Sequence, residues 1–214
     1  MPIPDTIWLY RFIHLDNLDL LLRRGGLHAP NYTPDDGLVY HTIHDEAVQA
    51  GRHVTAIPCG PGGTVHDYVP FYFGPLSPMM LQLKTGQVEG YDEGQEPLIY
   101  LVTTVEAVQG AGVPFVFSDG HGLAALTDWF DDLSDLGEVD WDIVKQRYWA
   151  DTLEYDDRQR RKQAEFLVHQ FLDWSLIKGI AVINDTVKQQ VEAVLSEYTH
   201  LHQPPVKVKR NWYY

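Results

Sequence analysis

One stretch, Arg158-Gln-Arg-Arg-Lys-Gln-Ala-Glu-Phe-Leu-Val168, limits the folds open to this chain more than any other. Four cations within five positions, Arg158, Arg160, Arg161 and Lys162, run into one carboxylate, Glu165, and the apolar run Phe166-Leu167-Val168 follows at once. Three large apolar residues in a row are driven out of water, so Glu165 is pinned where a solvated segment enters the core. A carboxylate so placed feels two opposed forces: desolvation raises its pKa and neighbouring cations lower it. The plain alternative is an exposed Glu that ends a charged surface segment, since most charge runs are solvated faces.

Composition bounds the class. The 214 residues suit one large domain, and a 44% apolar fraction can fill a sizeable core. No apolar run reaches the ~18–20 residues of a membrane helix. The N-terminal Met-Pro-Ile-Pro-Asp-Thr lacks the basic and apolar regions of a secretory signal. Cys59 is the one cysteine, which excludes an intrachain disulfide and a cysteine-only metal site. The expectation is a cytoplasmic protein without a membrane partner. A formal charge of -14 argues against clamping duplex nucleic acid over a broad surface, but leaves a local groove open. Cations gather at 158–162 and at Lys207, Lys209 and Arg210, and acids in 128–142.

Ile7 to Ile13 is rich in strand formers and predicts a strand that ends at His14. Asp16 then caps a helix with Leu18, Leu21 and Leu22 on one face, which Gly25-Gly26 stops. His14 thus falls at a strand-to-helix junction, a common place for ligand contacts. A helix is predicted over Val39 to Ala50, ended by Gly51, with a strand from Val54 to Ile57. Arg52 falls between them, held by backbone on both sides. That suits anion binding or transition-state stabilisation, and equally a surface ion pair.

Thr64 to Phe73 is the most unusual composition in the chain, half aromatic if His66 is counted. Alternation buries Val69, Phe71 and Phe73 and turns Tyr68 and Tyr72 to the other side, either as a core strand or as a stacking wall for a planar ring. Pro70 argues against a central position in a sheet. Met79 to Leu83 reads as a returning strand, Leu98 to Thr103 as a buried strand, Val105 to Gly110 as a short helix and Phe115 to Phe117 as a strand. Ser118-Asp-Gly-His-Gly122 follows, and its glycines let backbone approach a ligand beside His121. Residues 123–157, with eleven acids and three tryptophans (Trp129, Trp141, Trp149), read as short helices within a long excursion. His169 to Leu176 fits a helix or an extended strand. Gly179 to Ile183 reads as a strand, Asn184 or Asp185 caps a helix, and Val206 to Arg210 forms an edge strand. With no internal repeat and no low-complexity linker, 1–214 reads as one α+β domain.

The Arg-Phe-Ile-His-Leu-Asp-Asn-Leu run from Arg11, Arg52, the aromatic run with Ser-Pro-Met behind it, Ser-Asp-Gly-His and the Glu165 segment occur together in this order. In this the chain resembles the DarT toxins, DNA ADP-ribosyltransferases of bacterial toxin–antitoxin systems, over nearly its whole length. The resemblance implies an ADP-ribosyltransferase-like split mixed β-sheet with peripheral helices, gripping NAD as co-substrate and requiring no metal. It implies transfer of ADP-ribose to a nucleobase of single-stranded DNA, commonly thymine, and a macrodomain antitoxin, a hydrolase that removes the mark. Under it, Glu165 and Arg52 are catalytic. His14, Leu15, Asp16, Asn17, Arg52, Tyr72 and His121 bind NAD, and the segment from about Leu38 to His53 folds over it. Tyr68, Trp149, Arg158, Arg160, Arg161 and Lys162 meet the DNA by stacking or at phosphates, and the region from about Asp119 to Arg161 presents the substrate.

Breaking a nicotinamide–ribose bond passes through an oxocarbenium-like transition state, which a carboxylate can stabilise while it also takes a proton from an attacking ring nitrogen. Three other readings share these residues. One is the same chemistry on RNA or protein. Another is a nucleotide- or nucleic-acid-binding module without catalysis. The third is a metal hydrolase built on His41, His44, His53 and His66, which lacks an ordered ligand set with a partner Glu.

Overall fold

The computed structural model describes residues 2–214. Strand β1 (Trp8–His14) is its axis. The two-residue period of a strand sends Leu9 and Ile13 into one apolar cluster and Phe12, with Tyr10 beside it, into another on the opposite face. β1 lies antiparallel to β4 (Leu98–Thr104) over seven registered pairs, from Trp8↔Thr104 to His14↔Leu98. β4 is buried along its whole length, which accounts for its unbroken apolar sequence. On its other side β1 meets β3 (Tyr68–Tyr72) at a single registered pair, Tyr10↔Tyr72.

β3 in turn pairs fully with β7 (Glu165–His169), from Tyr68↔His169 to Tyr72↔Glu165. Beyond β7 lie β5 (Phe115–Ser118) and β6 (Trp129–Phe130); beyond β4 lie β9 (Gly179–Val182) and β10 (Val206–Val208). The order across the sheet is β10-β9-β4-β1-β3-β7-β5-β6, with β9 and β10 parallel and the other pairs antiparallel. The sheet is therefore mixed and splits between β1 and β3. A small second sheet joins β2 (Gly26–His28) to β8 (Phe171–Asp173). The α+β class and the split sheet agree with expectation.

Pro70 corrects one rule. It occupies an interior strand, not an edge. Its carbonyl accepts from Arg11 Nη1 at 3.1 Å. In an extended residue N and C=O share a side, so the position that carries no N–H faces the split, where no strand needs a donor.

Helix α1 (Asn17–Arg23) packs Leu18, Leu20, Leu21 and Leu22 inward and stops before Gly25, whose φ of 73° suits glycine. α2 (Glu46–Val54) begins later than expected and runs straight through Gly51, so Arg52 sits on a helix and no strand follows. Asp45 caps it by accepting from the Val48 N–H at 3.0 Å. α3 (Pro78–Lys84) replaces the strand expected there. The start signal was legible: the Ser77 side chain caps Met80 and Pro78 fills the first turn. α4 (Val105–Gly110) and α6 (Asp185–Ser196) lie where the sequence places them, capped by Thr104 and Asn184. The cationic run forms a short helix, α5 (Arg158–Lys162), just ahead of β7. Segment 169–176 is strand β8 followed by one tight turn.

The 123–157 excursion holds β6 and one 3-10 turn, Leu133–Glu138, in place of the expected helices. Its order comes from buried anchors. Leu136, Val139, Trp141 and Val144 join the main core, and the Trp141 ring stands edge-on to Phe73 at 5.3 Å. Each such side chain contributes about 1.5–3 kcal/mol on burial, enough to fix a chain with little regular structure.

Candidate active site

Glu165 is the first residue of β7 and shares the face of Leu167, opposite Phe166 and Val168 in the main core. That face looks into the split. Arg52 reaches it from α2, where Asp45, Gln49 and Arg52 are spaced four and three apart and so share one face. The two side chains meet as a bidentate pair: Arg52 Nη1 donates to Oε1 at 2.9 Å and Nη2 to Oε2 at 2.7 Å. Arg52 is 8% exposed and Glu165 2%. Burial by itself raises the Glu165 pKa; the Arg52 charge and its hydrogen bonds, then His121 and the Gly122 N–H, outweigh it and hold the carboxyl below its ordinary value. Burial opposes the Arg52 charge in the same way, and Glu165 overcomes it. The pair is a matched charge in a poorly solvated place.

Ser118 and Gly122 complete the support. Ser118 Oγ accepts from the Glu165 N–H at 3.2 Å and donates to the Gly120 carbonyl at 2.7 Å. A Cβ on Gly122 would stand 3.2 Å from the Trp129 ring, so glycine lets this backbone close on Glu165.

In front of the pair opens a cleft of about 650 Å³, lined in part by Arg11, Phe12, Tyr40, Gln49, Tyr72 and His121. Of the carboxylates in this acidic chain, only Asp45 and Glu165 line it. Three of the histidines that line it, His44, His66 and His121, are kept from charging: burial lowers the pKa of each, and Arg52 adds to the effect at His66 and His121. Burial, then the Glu165 charge, raises the Tyr72 hydroxyl well above its usual value. The arrangement offers the buried Arg52–Glu165 pair, a second carboxylate at Asp45, a second planar cation at Arg11 and neutral donors around a volume that suits an extended, partly aromatic, anionic ligand.

Comparison with known proteins decides the family. Residues 10–214 match the family model of DarT, ssDNA thymidine ADP-ribosyltransferase. A DNA ADP-ribosyl transferase of Thermus sp. (strain 2.9) is 39% identical over 211 residues, which are 99% of this chain and 98% of that protein. This chain belongs to the DarT family. The Thermus sp. 2.9 DarT solved in complex with ADP-ribosylated ssDNA superposes with a TM-score of 0.93 at 38% identity, covering 100% of this chain and 99% of that one. The same DarT in complex with NAD+ gives 0.89 at 38% identity, covering 100% of both chains.

Of the residues that the resemblance to DarT picks out, Glu165, Arg52, Tyr72 and His121 meet in the cleft. His14, Leu15, Asp16 and Asn17 do not line it. His14 and Asn17 are buried, and they grip His41 of the segment that crosses the cleft. The expected DNA contacts need more correction. Tyr68 is on the cleft face but 0% exposed, covered by Ile57 and Val65, with its hydroxyl on Gly62 O at 2.7 Å; it has no free face for a base. Trp149 donates to the Tyr214 hydroxyl, away from the cleft. Arg158 bonds Gln146 and lies over the Tyr155 ring. Arg160 is clamped between Asp119 and Asp157, and Arg161 pairs with Asp157. Lys162 is 3% exposed and donates to Val144 O at 2.6 Å and Pro75 O at 3.0 Å. The cationic run thus builds the support of Glu165 and is not a phosphate rail. Arg11 and Gln163, which the sequence did not single out as ligands, line the cleft, as do Tyr40 and Gln49 of the 38–53 segment expected to fold over NAD. The i, i+4, i+7 spacing from Asp45 would have exposed Gln49 had the helix been carried past Gly51.

Lys162 yields a test. Burial pushes its pKa down to about 7. Between pH 7 and the unfolded value, the unfolded chain holds a proton that the folded chain does not, so stability rises with pH there. Below about pH 7 both states are protonated and the slope vanishes. Urea midpoints from about pH 7 to 9 are expected to climb in the wild type, by up to ~1.4 kcal/mol per pH unit, and to lose most of that slope in Lys162→Met. Equal slopes would mean that Lys162 stays charged in the folded protein.

Proposed function

We infer that this chain transfers ADP-ribose from NAD to thymidine in single-stranded DNA, with release of nicotinamide. The observation that carries the inference is the buried Arg52–Glu165 pair at the floor of the split-sheet cleft of a DarT family member. The cleft suits NAD: the cations Arg11 and Arg52 serve a diphosphate, while Tyr40, Tyr72 and Phe12 flank planar rings. Arg52, Tyr40, Gln49, Tyr72 and His121 would hold it, with His14 to Asn17 acting through the segment that they anchor.

Bound NAD supplies an ADP-ribosyl group with nicotinamide as its leaving group. Glu165 is ionised at neutral pH because Arg52 keeps its pKa low, so it can accept a proton without first losing one. Both its oxygens are engaged by Arg52, so an incoming hydroxyl or ring N–H takes over one of those bonds and turns part of the fork toward anionic ligand. Glu165 then receives the proton of the thymine ring nitrogen, help worth about 10²–10⁴ in rate. His121, held neutral by burial, stands near the carboxylate without opposing the Arg52 charge. That ring nitrogen is occupied in a duplex, so the substrate strand is single or has its base extruded.

The chain's acidity fits this use. Among the described residues, Asp45 and Glu165 are the acids that line the cleft, and the cations of α5 are committed within the protein, so the strand is held locally and weakly. The domain that carries this activity spans 1–214 and works in the cytoplasm; among the described residues no helix is long and apolar enough to cross a membrane. A macrodomain antitoxin that removes the mark is the expected partner.

The test is mass spectrometry of short single-stranded DNA oligonucleotides, with RNA copies, after incubation with protein and NAD. ADP-ribose added only to thymine-containing DNA is expected. NAD consumption without a DNA adduct would redirect the reading to RNA or protein, and binding without turnover to a non-catalytic module.

A further inference from the structure

At the turn after β1, His14 and His41 stack with ring centroids 3.8 Å apart and planes 16° apart. Two carboxylates flank the stack. Asp16 Oδ2 lies 3.2 Å from His41 Nδ1 and 3.4 Å from His14 Nδ1. Glu93 places Oε1 at 3.0 Å from His41 Nε2 and Oε2 at 3.3 Å from His14 Nε2.

The Asp16 backbone N–H donates to His14 Nδ1 at 3.2 Å, and His14 Nε2 lies 3.3 Å from Glu93 Oε2. His41 is different. Each of its nitrogens faces a carboxylate oxygen, and carboxylates only accept. The groups facing it are His14 from β1, Asp16 from the turn, Asn17 from α1 and Glu93 from the 85–97 loop, and Tyr91 stands edge-on to His14. None of these is a competing cation. Nor do the rings suit a metal ion: stacked imidazoles aim their in-plane lone pairs in parallel, not at one point.

The location gives the arrangement its meaning. Residues 38–44 have no helix or strand and cross the front of the cleft. Tyr40, Thr42, Ile43 and His44 line the cleft, and His41 among them does not. Asn17 holds the His41 backbone twice: Nδ2 donates to its carbonyl at 2.8 Å and Oδ1 accepts its N–H at 2.7 Å. Ahead of it, Arg24 Nη2 donates to the Leu38 carbonyl at 3.2 Å, while Val39 is 90% exposed. Residue 41 is thus the central fastening of a strap that bears four cleft side chains.

We propose that His41, seated between Asp16 and Glu93 and against His14, is a positioning residue that fastens segment 38–44 and thereby sets the affinity for NAD. The proposal rests on the NAD reading above. The experiment compares the whole chain as wild type, His41→Gln, Glu93→Gln and the double variant. The readouts are KM and kcat for NAD, amide hydrogen exchange over 38–44, and melting temperature. Expected for His41→Gln is a KM raised about tenfold, the loss of one charge-assisted contact, with kcat within about twofold. Exchange over 38–44 rises, melting is unchanged, and the double variant is little worse than the worse single one. If the wild type consumes NAD and His41→Gln matches its KM or its exchange over 38–44, the proposal fails alone. A kcat loss equal to the KM change overturns it as well. If the wild type neither binds nor consumes NAD, the functional reading fails and the proposal with it.

Discussion

Glu165→Gln is expected to lower thymidine ADP-ribosylation by about 10²–10⁴-fold while leaving the fold intact. The amide has the carboxylate's shape, but it cannot take a proton and carries no charge to stabilise the transition state. Glu165→Ala is expected to be as inactive and also less stable, by about 3–5 kcal/mol. It removes both acceptors from the Arg52 guanidinium, which is 8% exposed. A buried, unpartnered cation is costlier than the lost pair. Adding Arg52→Met to Glu165→Ala should therefore restore much of the melting temperature and none of the activity. From sequence alone, Glu165→Ala looks like a clean catalytic knock-out; the geometry says that it confounds two effects. Oligonucleotide mass spectrometry and thermal melts on the four proteins separate them. A Glu165→Gln enzyme with the wild-type rate would remove Glu165 from the chemistry. A Glu165→Ala protein that melts like the wild type would mean that Arg52 escapes to solvent.

What the sequence showed of this site depended on how local each signal was. β1, β4, β5 and β9 announce themselves by short-range periodicity, and α6 by its Asn184 cap and apolar face. Glu165 stood out because the apolar run behind it had to be buried. Arg52 was misplaced in the fold: Gly51 reads as a helix stop, yet it costs a helix only about 1 kcal/mol, which the contacts of α2 offset. α3 was missed although Ser77-Pro78 is a helix-start signal, because Met79 to Leu83 is apolar enough to suit either structure. The cations of 158–162 misled for a different reason. A run of arginines does not reveal that Asp119, Asp157 and two main-chain carbonyls will claim its charges, since those partners come together only in the folded chain. The His14–His41 stack is equally invisible, joining residues whose pairing depends on the strap.

Gly74→Ala is expected to be among the most damaging single-methyl changes outside the cleft. Gly74 follows β3 and faces the excursion: a Cβ there would lie 2.1 Å from the Val144 carbonyl oxygen and 3.1 Å from its carbon. Those are backbone atoms and cannot rotate away, so the 139–145 segment must move as a unit. The same oxygen accepts from Lys162 Nζ at 2.6 Å, and the next residue, Pro75, gives Lys162 its second acceptor at 3.0 Å. Moving Val144 therefore loosens the buried ammonium and, three residues on, Glu165. A loss of about 3 kcal/mol is expected, at the upper end for overpacking, or roughly 6–12 °C in melting temperature for a chain of this size. Gly137→Ala is the control: no atom lies within 4 Å of its Cβ and its φ is not in the left-handed region, so it should be neutral or stabilising by up to about 1 kcal/mol. Transfer activity is expected to fall further in Gly74→Ala than melting at assay temperature explains, because the shift travels along α5 to the carboxylate. Activity that merely tracks the folded fraction would mean that α5 and β7 keep their place when Val144 moves, and that Lys162 supports the fold without aligning Glu165.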